Sequence, residues 1–154
     1  MRSIFMLALP LLLASSAAQG KAGPAELKWM DSPPPGLPAG ATFAVVSGNP
    51  AKAGKFTIRI KMPSNYSVPP HWHPSDEHVT LVSGKLAYGM SDRIDRAGAE
   101  ALAAGGTIVM KAKHHHWVFT GDGAEVEVSA VGPFAITYVD PTTDPRGVAK
   151  PKTP

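Results

Sequence analysis

Proline and glycine cut this chain into short apolar runs, and that punctuation restricts the fold more than any other feature. With 16 prolines and 15 glycines in 154 residues, the pattern is that of a sandwich or barrel built from short strands. "KFTIRIKM" (55–62) alternates cleanly, with Phe56, Ile58, Ile60 and Met62 on one face and Thr57, Arg59 and Lys61 on the other. Such alternation predicts a half-buried strand. "ATFAVVSG", "EHVTLVSG", "KLAYGM", "TIVMKA", "HWVFTG", "AEVEVSAVG" and "FAITYVD" read as further strands, and Ser83-Gly84 reads as a tight hairpin turn between two of them. One helix is expected, within 91–106, capped by Ser91 or Asp92 and stopped by Gly105-Gly106.

The ends differ from the middle. Arg2, the apolar run Ile4 to Leu13, and the small residues Ser16 and Ala18 form a secretory signal peptide over 1–18. Cleavage is expected after Ala18, with Gly20 or Gly23 as alternatives, and the product is expected in the periplasm or secreted. An extended lead-in (19–40), a single β domain (41–140) and a flexible tail (141–154) complete the organisation.

Composition closes several routes. The absence of cysteine excludes disulfides, thiolate ligands and an acylated lipoprotein anchor, so any metal site must use imidazole, carboxylate and water. Loss of Arg2 on processing takes the 15 basic side chains to 14, against 12 acidic. No surface alternates basic and aromatic residues, so a nucleic-acid partner is not expected, nor a membrane after cleavage.

The histidines are concentrated. "PPHWHPSDEHVTLVSG" (69–84) places His71, His73 and Glu77 two and four residues apart. On an extended chain these three share a face, opposite Trp72 and His78. Two imidazoles and a carboxylate converging in a barrel suit a divalent transition metal, which would be iron, manganese, nickel, copper or zinc. A histidine-rich surface loop without metal has the same spacing. A second segment, "GGTIVMKAKHHHWVFTGDG" (105–123), supplies His114, His115 and His116 at another strand end and favours a shared site. His78 reads as a hydrogen-bonded structural histidine, and Trp72 and Trp117 as sheet packing or a homodimer contact. Tyr88, Met90, Val79 and Leu81 are candidates to line the interior. Lys111 and Lys113 flank the presumed mouth.

These residues resemble the cupin family. Its first motif, H-x-H-x3-E-x6-G, is matched by His71, His73, Glu77 and Gly84, with Asn65 where the pattern has an earlier glycine. The second motif is matched in part: a glycine at 105 or 106 and His116 are present, while Lys111, Lys113 and Thr120 replace its Pro, Gly and Asn. The likeness extends from about Glu26 to Arg146. It implies a jelly-roll β-barrel with His71, His73, Glu77 and His116 as ligands of one metal, although the three-histidine turn leaves His114 and His115 as alternatives to His116. Cupins with this ligand set include dioxygenases, decarboxylases and isomerases as well as non-catalytic binders. An oxygenase-type reaction on a small oxygenated molecule is the first expectation, with Glu77 as proton acceptor. A binding or sensor module is the second.

Overall fold

The computed structural model describes residues 26–147. The expected signal peptide and the last seven residues of the expected tail lie outside them. Among the described residues, eleven strands form two antiparallel sheets. In the first, the order is β1 (Trp29–Met30), β2 (Thr42–Ser47), β3 (Gly54–Met62), β10 (Ala124–Gly132), β5 (Glu77–Gly84) and β8 (Thr107–Met110). In the second it is β11 (Thr137–Tyr138), β4 (Ser67–Trp72), β9 (His116–Phe119), β6 (Leu86–Gly89) and β7 (Glu100–Leu102). This is the all-β jelly roll that the sequence pattern predicts.

Alternation fixes which faces meet. Phe56, Ile58, Ile60 and Met62 of β3 are buried, and they pair across the ladder with Ala130, Val128, Val126 and Ala124 of β10. Burying side chains such as Phe56 and Ile58 stabilises the fold by about 1.5–3 kcal/mol each. On the opposite face, Arg59 bridges Glu125 and Glu127 at 2.9 and 2.8 Å, as the polar phase of the pattern requires.

Three expectations are corrected. Residues 91–106 form no helix: bends occupy 91–99, and Glu100–Leu102 becomes β7, paired with β6. Ile94 and Leu102 are the only large apolar side chains in that segment, too few for a buried helical stripe, and Gly98 weakens a helix interior. Of the candidate caps, Asp92 pairs with His115, and Ser91 bonds within the loop and to Trp117. Ser91 Oγ donates to Arg93 O and accepts from Trp117 Nε1, and Asp95 accepts from the amides of Ala97 and Gly98.

The second correction concerns Ser83-Gly84, which is not a hairpin turn. β5 and β6 belong to different sheets, and the chain changes sheet there with Gly84 at φ +84°. A Cβ on Gly84 would lie 2.3 Å from Gly123 O, so the close crossing needs glycine. The third is the tail. Pro141–Thr143 form a 3-10 turn, and Arg146 binds Asp144 and donates to Ile136 O at 3.0 Å. Residues 141–147 are therefore docked on the barrel.

Candidate metal centre

A bulge aims the first histidine. Val68 pairs with Val118 and His71 with His116, so three steps along β4 match two along β9. Pro69 and Pro70 occupy the irregularity, where their missing N–H groups cost the ladder least. The extra residue lets Val68 and His71, an odd number of positions apart, both face the interior. His73 follows the end of β4. Pro74, Ser75 and Asp76 then carry the chain to the other sheet, where Glu77 opens β5. The histidines and Glu77 thus meet because the chain crosses between sheets, not because they share one strand face.

One atom on each of His71, His73 and His116 lies within 4.8 Å of the others, and all three residues are buried. Each ring is held by a backbone carbonyl. Nδ1 of His71 bonds Pro69 O at 2.7 Å, that of His73 bonds Ala135 O at 2.7 Å, and that of His116 bonds His114 O at 3.0 Å. A carbonyl can only accept, so each Nδ1 carries the proton and each Nε2 presents a lone pair. His116 Nε2 is buried without a hydrogen-bond partner, and such an orphaned group is costly unless something fills its place.

Glu77 adds the fourth group. Its Oε2 lies 3.5 Å from His73 Nε2 and 3.8 Å from His116 Nε2. These separations are near the ~3–3.4 Å between ligands bound about 2.1 Å from one ion. Glu77 stands beside the cluster of three histidines, whose ligand atoms all lie within 4.8 Å of one another. Buried imidazoles and a buried carboxylate with no fixed cation are the donor set of a divalent metal. The residues fit one.

Burial, reinforced by His116 and His73, pushes His71 well below the ordinary histidine range. Burial likewise lowers His116, against the opposing pull of Glu77. Both are held neutral, as a ligating imidazole must be.

The alternatives lie elsewhere. His114 is exposed and contributes its carbonyl to His116. His115 binds Asp92 Oδ1 at 2.6 Å on the outer side of the sheet. His78 is exposed, with no hydrogen bond to its ring among the described residues, contrary to the structural role expected of it. Trp117 is 1% exposed and packs over Gly89, which settles it as sheet packing, while Trp72 is half-buried. Val79 lines the cavity; Leu81 is core away from it, Tyr88 donates to Glu100 at 2.7 Å, and Met90 is exposed. Lys111 pairs with Asp76 at 2.8 Å, and neither Lys111 nor Lys113 lines the cavity.

Among the cavity residues that the sequence analysis did not single out, two lie outside the strands. Leu37, in the Pro-rich lead-in, and Phe134, between β10 and β11, line the cavity and are only partly buried. Leu37 is a large apolar side chain among prolines, glycines and alanines, and Phe134 opens the expected strand "FAITYVD"; neither signal marks a cavity.

No protein-family model matches the chain, and no curated protein does. Solved structures do. The polyketide cyclase RemF from Streptomyces resistomycificus is 18% identical, with 82% of this chain and 89% of that one covered at a TM-score of 0.65. A candidate acetylacetone dioxygenase from Methylibium petroleiphilum is 21% identical, with 87% and 90% covered at 0.60. The DMSP lyase DddQ from Ruegeria pomeroyi is 17% identical, with 73% and 61% covered at 0.57. The chain shares the fold of these proteins. Identities this low carry the architecture and no activity.

Three of the departures from the cupin motifs keep the local backbone shape or its hydrogen bonding. Asn65 and Lys113, at two glycine positions, keep left-handed φ values of 57° and 61°. Thr120, at the Asn position, is fully buried and donates to Pro63 O at 2.7 Å.

Proposed function

We propose that this chain is an exported mononuclear metalloprotein in which His71, His73, His116 and Glu77 hold one divalent transition metal, and that it acts on a small oxygenated organic molecule by an oxygenase-type reaction. The observation that carries the reading is the set of three Nδ1–carbonyl bonds, which aims three Nε2 lone pairs into one cavity. Four protein groups leave open positions, and a bound metal supplies Lewis acidity toward substrate oxygens there. Glu77, the one carboxylate among the four, accepts the proton of the substrate hydroxyl. Export rests on the N-terminal sequence. The cavity and the small-molecule names of the dioxygenase and lyase neighbours support a small substrate.

A binding module without turnover is the second reading, and one observation favours it. Beyond the three histidines and Glu77, no titratable side chain among the described residues lines the cavity. Elemental analysis of protein from the exported fraction, with oxygen consumption over a panel of diketones, hydroxyketones and carboxylates, tests both. About one metal per chain with substrate-dependent oxygen uptake supports the enzyme, and Glu77→Gln should then keep the metal and lose most of the turnover. Metal without uptake supports the metal-binding module, and no metal sinks the enzyme and leaves only a small-molecule binder.

A further inference from the structure

The cavity next to the histidines has no polar wall. Apart from His71, His73, His116 and Glu77, every lining side chain is aliphatic, methionine or phenylalanine. Among the described residues, no lysine, arginine, serine, threonine, asparagine or glutamine lines it. The space is also small, about 50 Å³, room for roughly four waters. A second carboxylate on a bound molecule would be desolvated here without a cationic or hydrogen-bonding partner, at a cost of several kcal/mol.

The mouth is fixed rather than loose. Leu37 and Phe134 stand on segments outside the sheets and border both cavity and solvent. The backbone on either side of Leu37 is clamped: Tyr138 donates to Gly36 O and Tyr66 to Pro38 O, each at 2.7 Å. Burial pushes both phenols above their ordinary range, so they remain donors at any working pH. Phe134 packs edge-on against Phe56, with ring centroids 5.8 Å apart.

From these observations we propose that the site selects a compact, at most singly charged chelator whose only polar atoms are the oxygens that reach the histidine cluster and whose remainder is a short alkyl group, with Leu37 setting its maximum length. This rests on the metal reading above. Apolar walls reward added methylenes until the space is filled, then reject further ones by overlap.

The test uses purified protein loaded with cobalt(II) and straight-chain alkyl hydroxamic acids from acetyl to octanoyl, with malonate as the doubly charged chelator. Binding is read from the cobalt(II) visible spectrum and from the shift in Tm, each affinity being divided by that for free cobalt. Affinity should rise about fourfold per methylene over the first members, pass a maximum and fall. Malonate should bind at least tenfold more weakly than the hydroxamate of equal length. In Leu37→Ala the maximum should move one or two carbons longer. A flat series, or malonate binding equal to that of its hydroxamate counterpart, overturns the selectivity in the unmutated protein alone. An unmoved maximum in Leu37→Ala overturns the role of Leu37. Failure of cobalt(II) to bind overturns the metal reading instead, and this inference with it.

Discussion

The amide of Lys113 donates to the carbonyl of His73 across 2.8 Å, tying the turn before β9 to the end of β4. That bond joins the two histidine-bearing segments through backbone alone, so it survives replacement of the Lys113 side chain. Lys113 makes it at φ 61°, a conformation that costs an L-residue about 1–2 kcal/mol. Glycine removes that cost but loses about 0.5–1 kcal/mol of chain entropy. Lys113→Gly should therefore stabilise the metal-free protein by about 0.5–1 kcal/mol and leave metal content unchanged. Urea unfolding curves check this, and destabilisation would show that the lysine side chain makes a compensating contact.

Much of the fold is legible because strand alternation reports burial directly, as Phe56, Ile58, Ile60 and Met62 show. What was not legible depends on partners distant in sequence. Nothing local says that Glu100–Leu102 pairs with Leu86–Tyr88 rather than coiling, or that Gly84 marks a change of sheet. At the site, the spacing of His71, His73, Glu77 and His116 marked residues that do come together, but the parity argument behind it gave the wrong geometry. Glu77 reaches the cluster from the opposite sheet. Leu37 and Phe134 were missed because a cavity mouth is built from loops, which carry no periodicity.

Metal-free protein should lose stability as pH falls below about 6.5. The folded state holds His71 and His116 neutral by burial, whereas the unfolded chain titrates near the ordinary value of 6.5. Below that value the unfolded state binds more protons, so protonation pulls toward unfolding. The slope is at most about 1.4 kcal/mol per pH unit for each of the two groups. Stability is full above 6.5 and keeps declining until the depressed folded values are reached. Urea midpoints at pH 7.5 and 5.5 measure it, and equal midpoints would contradict the buried-neutral assignment.

Tyr138→Phe should cost about 1–2 kcal/mol, because Gly36 O loses its 2.7 Å donor in a buried setting. The same change frees one side of the Leu37 segment. Proteolysis within 34–38 should then accelerate relative to the parent protein, and an unchanged cleavage rate would show that the Tyr66 bond to Pro38 O suffices.

Exported protein should begin near Gln19. The n-region, the apolar run and the Ser-Ala-Ala ending are the grounds. Intact mass of material recovered outside the cytoplasm decides it, and retention of Met1 to Ala18 would refute the assignment.

His116→Ala should abolish most metal binding, and His115→Ala should leave it near that of the parent protein. His116 is 1% exposed, its Nδ1 proton is committed to His114 O, and its Nε2 is the orphan facing Glu77. His115, one residue away, faces the other side of the sheet and is engaged by Asp92. Removing one ligand from a preorganised set also removes the stability that bound metal lends the folded state, which grows with the ratio of free metal to Kd. The His116 variant should thus lose the metal-induced rise in Tm, while the His115 variant keeps it. Elemental analysis after dialysis gives the stoichiometry, and thermal unfolding with and without added zinc gives the linkage. Loss in the His115 variant alone would place the ligand one residue from where the backbone now puts it. Equal loss in both would mean that the three-histidine turn rearranges when metal binds.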